Sequence, residues 1–287
     1  MKVLIIGSSG MLGKDLIQAL NSSLMSVQGL SKSDLDITDA DSVEKKLLKI
    51  KPNFVILSAA LTWVDYCEDH EDLAITINGN GTRNVALACK NIKAKLIYIS
   101  TDYVFDGTKV GSYDENDDPS PINVYGRSKL LGEQNVIESL QNFLIIRTSW
   151  LFGLGGKNFV ESIMTKGKAG ESLRVVSDQI GAPTYTSDLA AAIVRLIEKG
   201  SKGIINISNT GFCSWKDFAV AIYKEIGAEE GKISSILTED YGAKAPRPKN
   251  SKLSSDFFEQ IAGYRLRSWE DALKDYVSQR KNTSILK

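Results

Sequence analysis

The chain has 287 residues with 43% hydrophobic and 24% charged content, enough to bury the core of one large α/β domain with a smaller lobe. Its 35 basic and 35 acidic residues cancel, and it has one histidine, three separated cysteines and no apolar run long enough for a membrane span. This composition argues against nucleic-acid or membrane partners, a disulfide framework and a multi-histidine metal site, and it predicts a cytoplasmic protein without a metal.

Apolar strand-like runs alternate with helical periodicity through the first half of the chain. Strands are predicted at residues 2–6, 25–30, 53–58, 95–100 and 143–147, and helices at residues 12–20, 40–50, 74–91 and 125–140. Because parallel strands require crossover connections, the sequence predicts a doubly wound parallel sheet with helices on both faces. Ligands of such sheets bind beyond the carboxyl ends of the strands, so functional residues are expected just after them.

The alternation weakens after Trp150. A glycine-rich loop at residues 151–156 is followed by a predicted strand at 173–176 and predicted helices at 187–198, 214–226 and 268–279. We therefore predict two parts, a sheet domain over residues 1–150 and a smaller lobe over residues 151–287 that is partly interleaved with it.

The turn between the first strand and the first helix has the sequence Gly7-Ser8-Ser9-Gly10-Met11-Leu12-Gly13. Glycines at this spacing let backbone amides approach a pyrophosphate at the positive end of a helix, which indicates a dinucleotide site. A glycine-rich turn without a ligand is the alternative, but the strand–turn–helix context favours a cofactor. After the second strand, Ser31 and Lys32 stand where an acidic residue would select NAD. A hydroxyl and a cation there favour NADPH, with NADH use left open and a solvated loop lysine as the alternative.

The segment Tyr125-Gly126-Arg127-Ser128-Lys129 places a phenol and an ammonium on one helical face. The pattern is weak alone, and an ordinary Tyr/Lys face is the alternative, but Thr101 follows the fourth strand at the expected edge of the sheet. Hydride delivery to a ketone builds negative charge on oxygen, which a phenol proton and a hydroxyl can meet. We expect Lys129 to lower the phenol's pKa from about 10 and to hold the nicotinamide ribose.

Several longer strings point to a family. They are the glycine turn, Ser100-Thr101-Asp102-Tyr103-Val104-Phe105-Asp106-Gly107, Asn123-Val124-Tyr125-Gly126-Arg127-Ser128-Lys129-Leu130-Leu131-Gly132-Glu133, Arg147-Thr148-Ser149-Trp150-Leu151-Phe152-Gly153, Asp178-Gln179-Ile180-Gly181-Ala182-Pro183-Thr184 and Arg247-Pro248-Lys249-Asn250-Ser251-Lys252-Leu253. From Met1 to about Val277, the sequence resembles the dTDP-4-dehydrorhamnose reductase family of extended short-chain dehydrogenase/reductases. The resemblance implies a Rossmann-type NAD(P)-binding domain, a C-terminal substrate-binding lobe and a homodimer. It also implies reduction of the 4-keto group of dTDP-4-dehydro-L-rhamnose to dTDP-L-rhamnose by NADPH or NADH.

Carried over position by position, the resemblance implies a catalytic trio of Thr101, Tyr125 and Lys129. With the two turns above, the expected cofactor contacts are Gly7, Ser9, Gly10, Met11, Leu12, Ser31, Lys32, Asp36, Ile37, Ala59, Ala60, Leu61, Thr62, Ser100, Tyr125 and Lys129. The expected substrate contacts are Val64, Thr101, Asp102, Tyr103, Trp150 and Arg247. The alternatives are a core tryptophan at position 150 and a surface ion pair at position 247.

The sequence departs from the family at three places. Leu61 replaces a usual His or Tyr, and the bulky Trp63 replaces a small residue, both near the expected nicotinamide or sugar. Some family members bind magnesium through glutamates at a subunit contact. Only Asp15 resembles one of those positions, so no metal is predicted.

Two kinds of rival remain. The regulatory subunit of methionine adenosyltransferase resembles the same family and would be non-catalytic, but the strings beginning at Arg147 and Asp178 suit a sugar-nucleotide pocket and favour an enzyme. A sugar-nucleotide dehydratase would carry a glutamate where this chain has Tyr103, and an epimerase-reductase would need a Cys/His pair that His70 is poorly placed to supply. Simple reduction is preferred, and another sugar-nucleotide reductase or epimerase is the alternative.

Overall fold

The computed structural model describes residues 1–23 and 25–285 as an α/β protein. The strands are β1 Lys2–Ile6, β2 Ser26–Leu30, β3 Phe54–Leu57, β4 Lys95–Thr101, β5 Phe143–Thr148, β6 Leu151–Phe152, β7 Leu173–Val176, β8 Ile180–Gly181, β9 Thr184–Tyr185, β10 Gly203–Asn206, β11 Cys213–Ser214 and β12 Ile233–Ile236. The α-helices are α1 Met11–Asn21, α2 Ala40–Ile50, α3 Val64–Asp69, α4 Glu71–Ala74, α5 Thr82–Ile92, α6 Val124–Ser139, α7 Phe159–Lys168, α8 Thr186–Glu198, α9 Trp215–Glu225, α10 Thr238–Tyr241, α11 Asp256–Ala262 and α12 Trp269–Ile285. None of these described helices combines the length and the apolarity that a membrane span requires.

The central sheet has six strands in the order β10-β5-β4-β3-β1-β2, and each neighbouring pair is parallel. From β1 the chain moves to β2 on one side and then crosses to β3 on the other. The strand order therefore reverses between β1 and β3, and the carboxyl ends of these two strands open a crevice. This topology confirms the predicted doubly wound sheet and places its binding edge.

The sheet is covered on both faces. Val3 and Ile5 pack into one layer with residues of α1 and α8, whereas Leu4 and Ile6 pack into the other with residues of α2 and α5. This alternation follows from the two-residue period of a strand, and it requires a fully apolar strand when both faces are buried.

The C-terminal half contributes to both parts of the molecule. Strand β10 forms the edge of the central sheet beside β5, and α8 packs on the face that α1 also covers. A separate aromatic core, which includes Phe152, Phe218 and Tyr276, joins α7, α9 and α12. The division into two partly interleaved domains near residue 150 stays a prediction.

The predicted single helix over residues 74–91 is wrong in detail. Its first part is a π-helical segment, Ile75–Gly81, and a regular α-helix begins only at Thr82. Gly79 lies against Leu131 of α6, where a Cβ would be 2.5 Å from the leucine Cδ2. The π-helical segment therefore packs tightly against α6 at Gly79, a contact that periodicity along one segment cannot reveal.

Candidate active site

The glycine turn forms a cradle at the start of α1. Gly7 has a φ of +95°, and a Cβ there would lie 2.6 Å from the amide nitrogen of Ala59, so only glycine fits. Gly13, in the first turn of α1, packs directly against the glycine turn, since a Cβ at this position would lie 2.3 Å from the Gly7 carbonyl oxygen. Gly10 caps the helix without a side-chain hydrogen bond, which leaves first-turn amides for an anion. The cradle therefore fits the pyrophosphate of a dinucleotide.

The end of β3 forms the opposite wall of the crevice. The Ala59 amide donates to the Ile6 carbonyl at 3.1 Å, which holds this loop against β1. The Asn78 side chain accepts from the Leu61 amide at 2.8 Å and donates to the Leu61 carbonyl at 2.9 Å and to the Ser128 hydroxyl at 2.9 Å. Asn78 is buried in the π-helical segment, so it joins the cofactor wall to α6.

The crevice has a volume of about 410 Å³. Ten residues expected at the cofactor line it: Gly7, Ser9, Gly10, Ser31, Lys32, Asp36, Ile37, Ala59, Ala60 and Leu61. Residues that the sequence did not indicate also line it, among them Leu35, Ser58, Leu73, Thr76 and Ile77. They come from the loop after β2, the end of β3, α4 and the π-helical segment, whose relative positions depend on tertiary packing.

The remaining expected cofactor residues lie around this space with other contacts. The side chain of Leu12 belongs to the buried core, and Ser100 directs its hydroxyl to Glu133 at 2.5 Å. Met11 packs against Gly156 of the glycine-rich loop, and Thr62 is exposed beside Leu61.

Thr101 and Tyr125 come together at the carboxyl edge of the sheet. Thr101 is the last residue of β4 and is buried, and its hydroxyl lies close to the phenol of the half-buried Tyr125. Burial raises the pKa of Tyr125 above its ordinary value, and the nearby Thr101 hydroxyl opposes that rise. The start of α6 is fixed by Asn123, whose side chain accepts from the Gly126 amide at 2.8 Å. The phenol is therefore held protonated in a rigid position.

Lys129 lies one turn after Tyr125 on the same face of α6, and its side chain is buried. Its ammonium donates to the Ile99 carbonyl at 2.7 Å and lies 4.1 Å from the centre of the Tyr98 ring. Burial lowers the pKa of Lys129 to about 7. Burial dominates the pKa of Tyr125, and the expected lowering of that pKa by Lys129 together with an oxidised nicotinamide stays a prediction.

Asp102 adds a third polar group beside the Thr/Tyr pair. It is 3% exposed, and its Oδ1 accepts from the Thr101 hydroxyl at 3.0 Å. Burial raises the pKa of Asp102 to about 7. A carboxyl in this state changes its charge near neutral pH, directly next to the expected catalytic hydroxyl.

A buried ion pair supports the strands and the helix that carry these groups. Glu133 of α6 receives two hydrogen bonds from Arg147 of β5, at 3.0 and 2.7 Å, as well as the one from Ser100 of β4. In the strand register, Ser100 lies opposite Arg147. The carboxylate therefore joins three elements immediately below the site.

A second cavity, of about 290 Å³, lies between the sheet edge and the C-terminal lobe. Tyr103 lines it and also contacts the Tyr125 ring edge-to-face at 5.9 Å between centroids. The cationic side chains Lys166, Arg174 and Arg247 line the same cavity. It therefore offers positive charge and aromatic surface next to the phenol.

Trp150 and Arg247 have partners in this region. Trp150, at a φ of +47°, stacks on Trp215 with ring centroids 3.5 Å apart, and its indole also packs on Gly181. Trp215 lines the cavity, and no sequence pattern indicated this residue. Arg247 forms a bidentate ion pair with Asp65 at 3.0 and 2.8 Å while lining the cavity. Val64, next to Asp65, begins α3 and is half-buried.

Fold and site together are those of an NAD(P)-dependent oxidoreductase of the extended short-chain dehydrogenase/reductase class. Residues 1–282 match the family described as RmlD substrate binding domain. The chain belongs to this family, which is that of the dTDP-4-dehydrorhamnose reductases.

Three relatives illustrate the similarity. The spore coat polysaccharide biosynthesis protein SpsK of Bacillus subtilis is 44% identical over 98% of both chains. The dTDP-4-dehydrorhamnose reductase of Aggregatibacter actinomycetemcomitans is 37% identical over 96% of this chain and 97% of its own. The crystal structure of dTDP-4-dehydrorhamnose reductase from Bacillus anthracis in complex with NADP has a TM-score of 0.94 and 42% identity, covering 97% of this chain and 99% of that one.

Proposed function

We propose that the protein reduces the 4-keto group of a dTDP-4-dehydro-6-deoxy sugar, converting dTDP-4-dehydro-L-rhamnose to dTDP-L-rhamnose. The observation that carries the proposal is the position of the Thr101–Tyr125 pair. The Tyr125 ring contacts Tyr103 of the lobe cavity and packs in one cluster with Leu61, which lines the dinucleotide crevice. The reductase names of relatives from Aggregatibacter and Bacillus anthracis support the same substrate class and favour an enzyme over a regulatory subunit.

Each residue of the site is assigned one role in the reduction of a carbonyl group. When bound, NADPH, or NADH in its place, supplies the hydride that the carbonyl carbon accepts. Tyr125 gives its proton to the carbonyl oxygen, and the Thr101 hydroxyl, turned away from Asp102 Oδ1, donates a hydrogen bond to the same oxygen. Lys129 holds the nicotinamide ribose, and the cradle residues Gly7 and Gly10 hold the pyrophosphate. The other crevice-lining residues are assigned to the cofactor as well, namely Ser9, Ser31, Lys32, Asp36, Ile37, Ala59, Ala60 and Leu61. Met11, Leu12, Thr62 and Ser100 stay predicted contacts.

The lobe cavity is the proposed place of the nucleotide. Arg247 is already oriented by Asp65, so its guanidinium can meet a diphosphate without ordering a free side chain. Trp215, with Trp150 stacked behind it, gives a flat apolar wall for the thymine or the sugar. Val64, Asp102 and Tyr103 are assigned to the sugar end, nearest the phenol.

The wider setting is part of the proposal. Residues 1–150 serve as the cofactor domain and residues 151–287 as the substrate lobe. We expect a homodimer in the cytoplasm that acts in nucleotide-sugar supply for cell-surface polysaccharide, in line with the name of the Bacillus subtilis relative.

The test is a turnover assay with a conservative variant. The protein is mixed with enzymatically generated dTDP-4-dehydro-L-rhamnose, and loss of NADPH or NADH absorbance is followed. Tyr125→Phe keeps the ring against Tyr103 but removes the proton, and turnover should fall at least about a hundredfold. Tyr264→Phe, remote from the site beside α11, is the matched control and should retain wild-type turnover.

Two outcomes would count against the proposal. Near-native turnover in Tyr125→Phe would remove the phenol from its role. Binding of the 4-keto sugar nucleotide and cofactor by the wild type without any turnover would favour the regulatory alternative.

A further inference from the structure

The loop after β2 contains an internal contact at the place where a cofactor's adenosine ribose is expected. Ser31, which lines the crevice, donates its backbone amide to Oδ2 of Asp34 at 2.8 Å and its hydroxyl to the same oxygen at 2.6 Å. The Ser33 hydroxyl lies 2.8 Å from the Ser31 hydroxyl. These hydrogen bonds hold the pKa of Asp34 below its usual range, so the carboxylate is charged at neutral pH.

The surroundings of this contact contain several lysines. Lys32 lines the crevice and also an adjoining hollow of about 440 Å³, whose other charged residues are Lys45, Lys46 and Lys49 and the carboxylates Asp34, Asp36 and Asp39. The crevice and the hollow have Lys32, Leu35 and Asp36 in common, so they adjoin at this end. A phosphate on the adenosine ribose would find positive charge here, together with the amide and hydroxyl of Ser31.

Asp34 accepts hydrogen bonds from the amide and the hydroxyl of Ser31, as a phosphate oxygen would. We propose that Asp34 is a selectivity residue, which lowers affinity for the 2′-phosphorylated cofactor by holding both donors of Ser31 and by repelling the phosphate. The inference rests on the proposed cofactor site. The residues that directly follow β2 are a serine and a lysine, but Asp34, three residues after Ser31, folds back to place a carboxylate against Ser31.

Asp36 does not fill the same role, although it is nearby. Its Oδ1 accepts from the amide and the hydroxyl of Thr38, at 2.9 and 2.8 Å, and so closes its own turn. Asp34 is exposed, which makes it replaceable without disturbing the core. The selectivity effect can therefore be separated from folding.

The experiment measures cofactor binding without any sugar. Dissociation constants for NADPH and NADH are measured by fluorescence titration, and those for adenosine 2′,5′-bisphosphate and AMP by calorimetry. In Asp34→Ala the dissociation constants of the two ligands with a 2′-phosphate, NADPH and adenosine 2′,5′-bisphosphate, should fall about tenfold. This is the effect expected when one charge that faces a doubly charged phosphate is lost in a water-exposed site. The constants for NADH and AMP should not fall.

Further variants separate charge from donor release. Asp34→Asn, which removes the charge but keeps an acceptor for Ser31, should give a smaller gain than Asp34→Ala. The gain should shrink at high salt, since the repulsion is screened. Asp41→Asn, an exposed carboxylate in the first turn of α2, is the charge-matched control and should leave the NADPH to NADH ratio unchanged.

The outcomes distinguish the inference from the function it rests on. Failure of the wild type to bind either cofactor would overturn the proposed function itself. Normal binding of both, with an Asp34→Ala variant whose NADPH to NADH ratio is unchanged or shifted toward NADH, would overturn the selectivity role alone. The second result would mean that Asp34 shapes Ser31 for the phosphate rather than competing with it.

Discussion

The buried pair of Glu133 and Arg147 gives a sharp test of how the active site is supported. Their side chains are 1% and 2% exposed, and the carboxylate also accepts the Ser100 hydroxyl. In Glu133→Gln the Arg147 guanidinium stays buried without its counter-charge, a change that costs about 3–5 kcal/mol of unfolding free energy. Since a domain has about 5–15 kcal/mol in total, the loss is large.

Urea unfolding, followed by tryptophan fluorescence, measures this loss. Glu259→Gln is the matched control, because Glu259 pairs with Arg265 at the surface, where both are about half exposed. That substitution should cost at most about 1 kcal/mol. A loss below 1 kcal/mol in Glu133→Gln would refute the reasoning, because it would mean that the pair is accessible to water.

A double variant separates stability from positioning. Replacing the pair by apolar residues, Glu133→Leu with Arg147→Met, removes both charges and should recover most of the lost stability. It does not restore the contact with Ser100, which precedes Thr101 on β4. We therefore expect kcat to remain lower by about tenfold, the effect of a small misplacement of the reacting groups, with little change in KM. Recovery of kcat together with stability would show that the pair serves folding only.

Three further predictions concern the cradle, its wall and the buried acid. Gly13→Ala forces a Cβ to within 2.3 Å of the Gly7 carbonyl oxygen, so the NADPH dissociation constant should rise at least about tenfold in a fluorescence titration. Gly231→Ala is the control, because the space around Gly231 is open, and it should leave the constant unchanged. Asn78→Ala leaves the amide and the carbonyl of Leu61 without their partner, so the free energy of unfolding in urea should fall by about 2–3 kcal/mol and the KM for NADPH should rise. An unchanged KM would contradict the role of Asn78 in holding the crevice wall. Burial raises the pKa of Asp102 from 3.8 to about 7, so its contribution to stability is full below about pH 4 and falls as pH rises through 7, by up to about 4 kcal/mol. Asp102→Asn removes this dependence, so its stability relative to wild type should increase between pH 4.5 and 8.5, and a constant difference would argue against the raised pKa.

The features predicted correctly from the sequence are local ones. The glycine cradle needs only one strand, one turn and the first turn of a helix, all within thirteen residues. The placement of Tyr125 and Lys129 on one face needs only the helical period. The sheet topology follows because alternating strands and helices permit few connections. Each of these depends on neighbours in the chain, which the sequence states directly.

The features that were missed depend on contacts between distant segments. Asn78 reaches Leu61 and Ser128 only because the helix around it widens where it packs on α6. Trp215 lines the lobe cavity through stacking on Trp150, a residue 65 positions earlier (215 − 150). The charge state of Lys129 also depends on how deeply the fold buries it, which no motif encodes.

The face of α6 explains how chemistry and stability are joined in one element. Tyr125, Lys129 and Glu133 follow each other at four-residue intervals, so they lie along one side of the helix over about 12 Å. The phenol is at the edge of the site, the ammonium lies below it against the Ile99 carbonyl, and the carboxylate ends in the ion pair with Arg147. Because a helix is stiff, fixing its lower end also fixes the phenol. The position of the proposed proton donor is therefore set two turns along the helix, by groups that are not expected to touch the substrate.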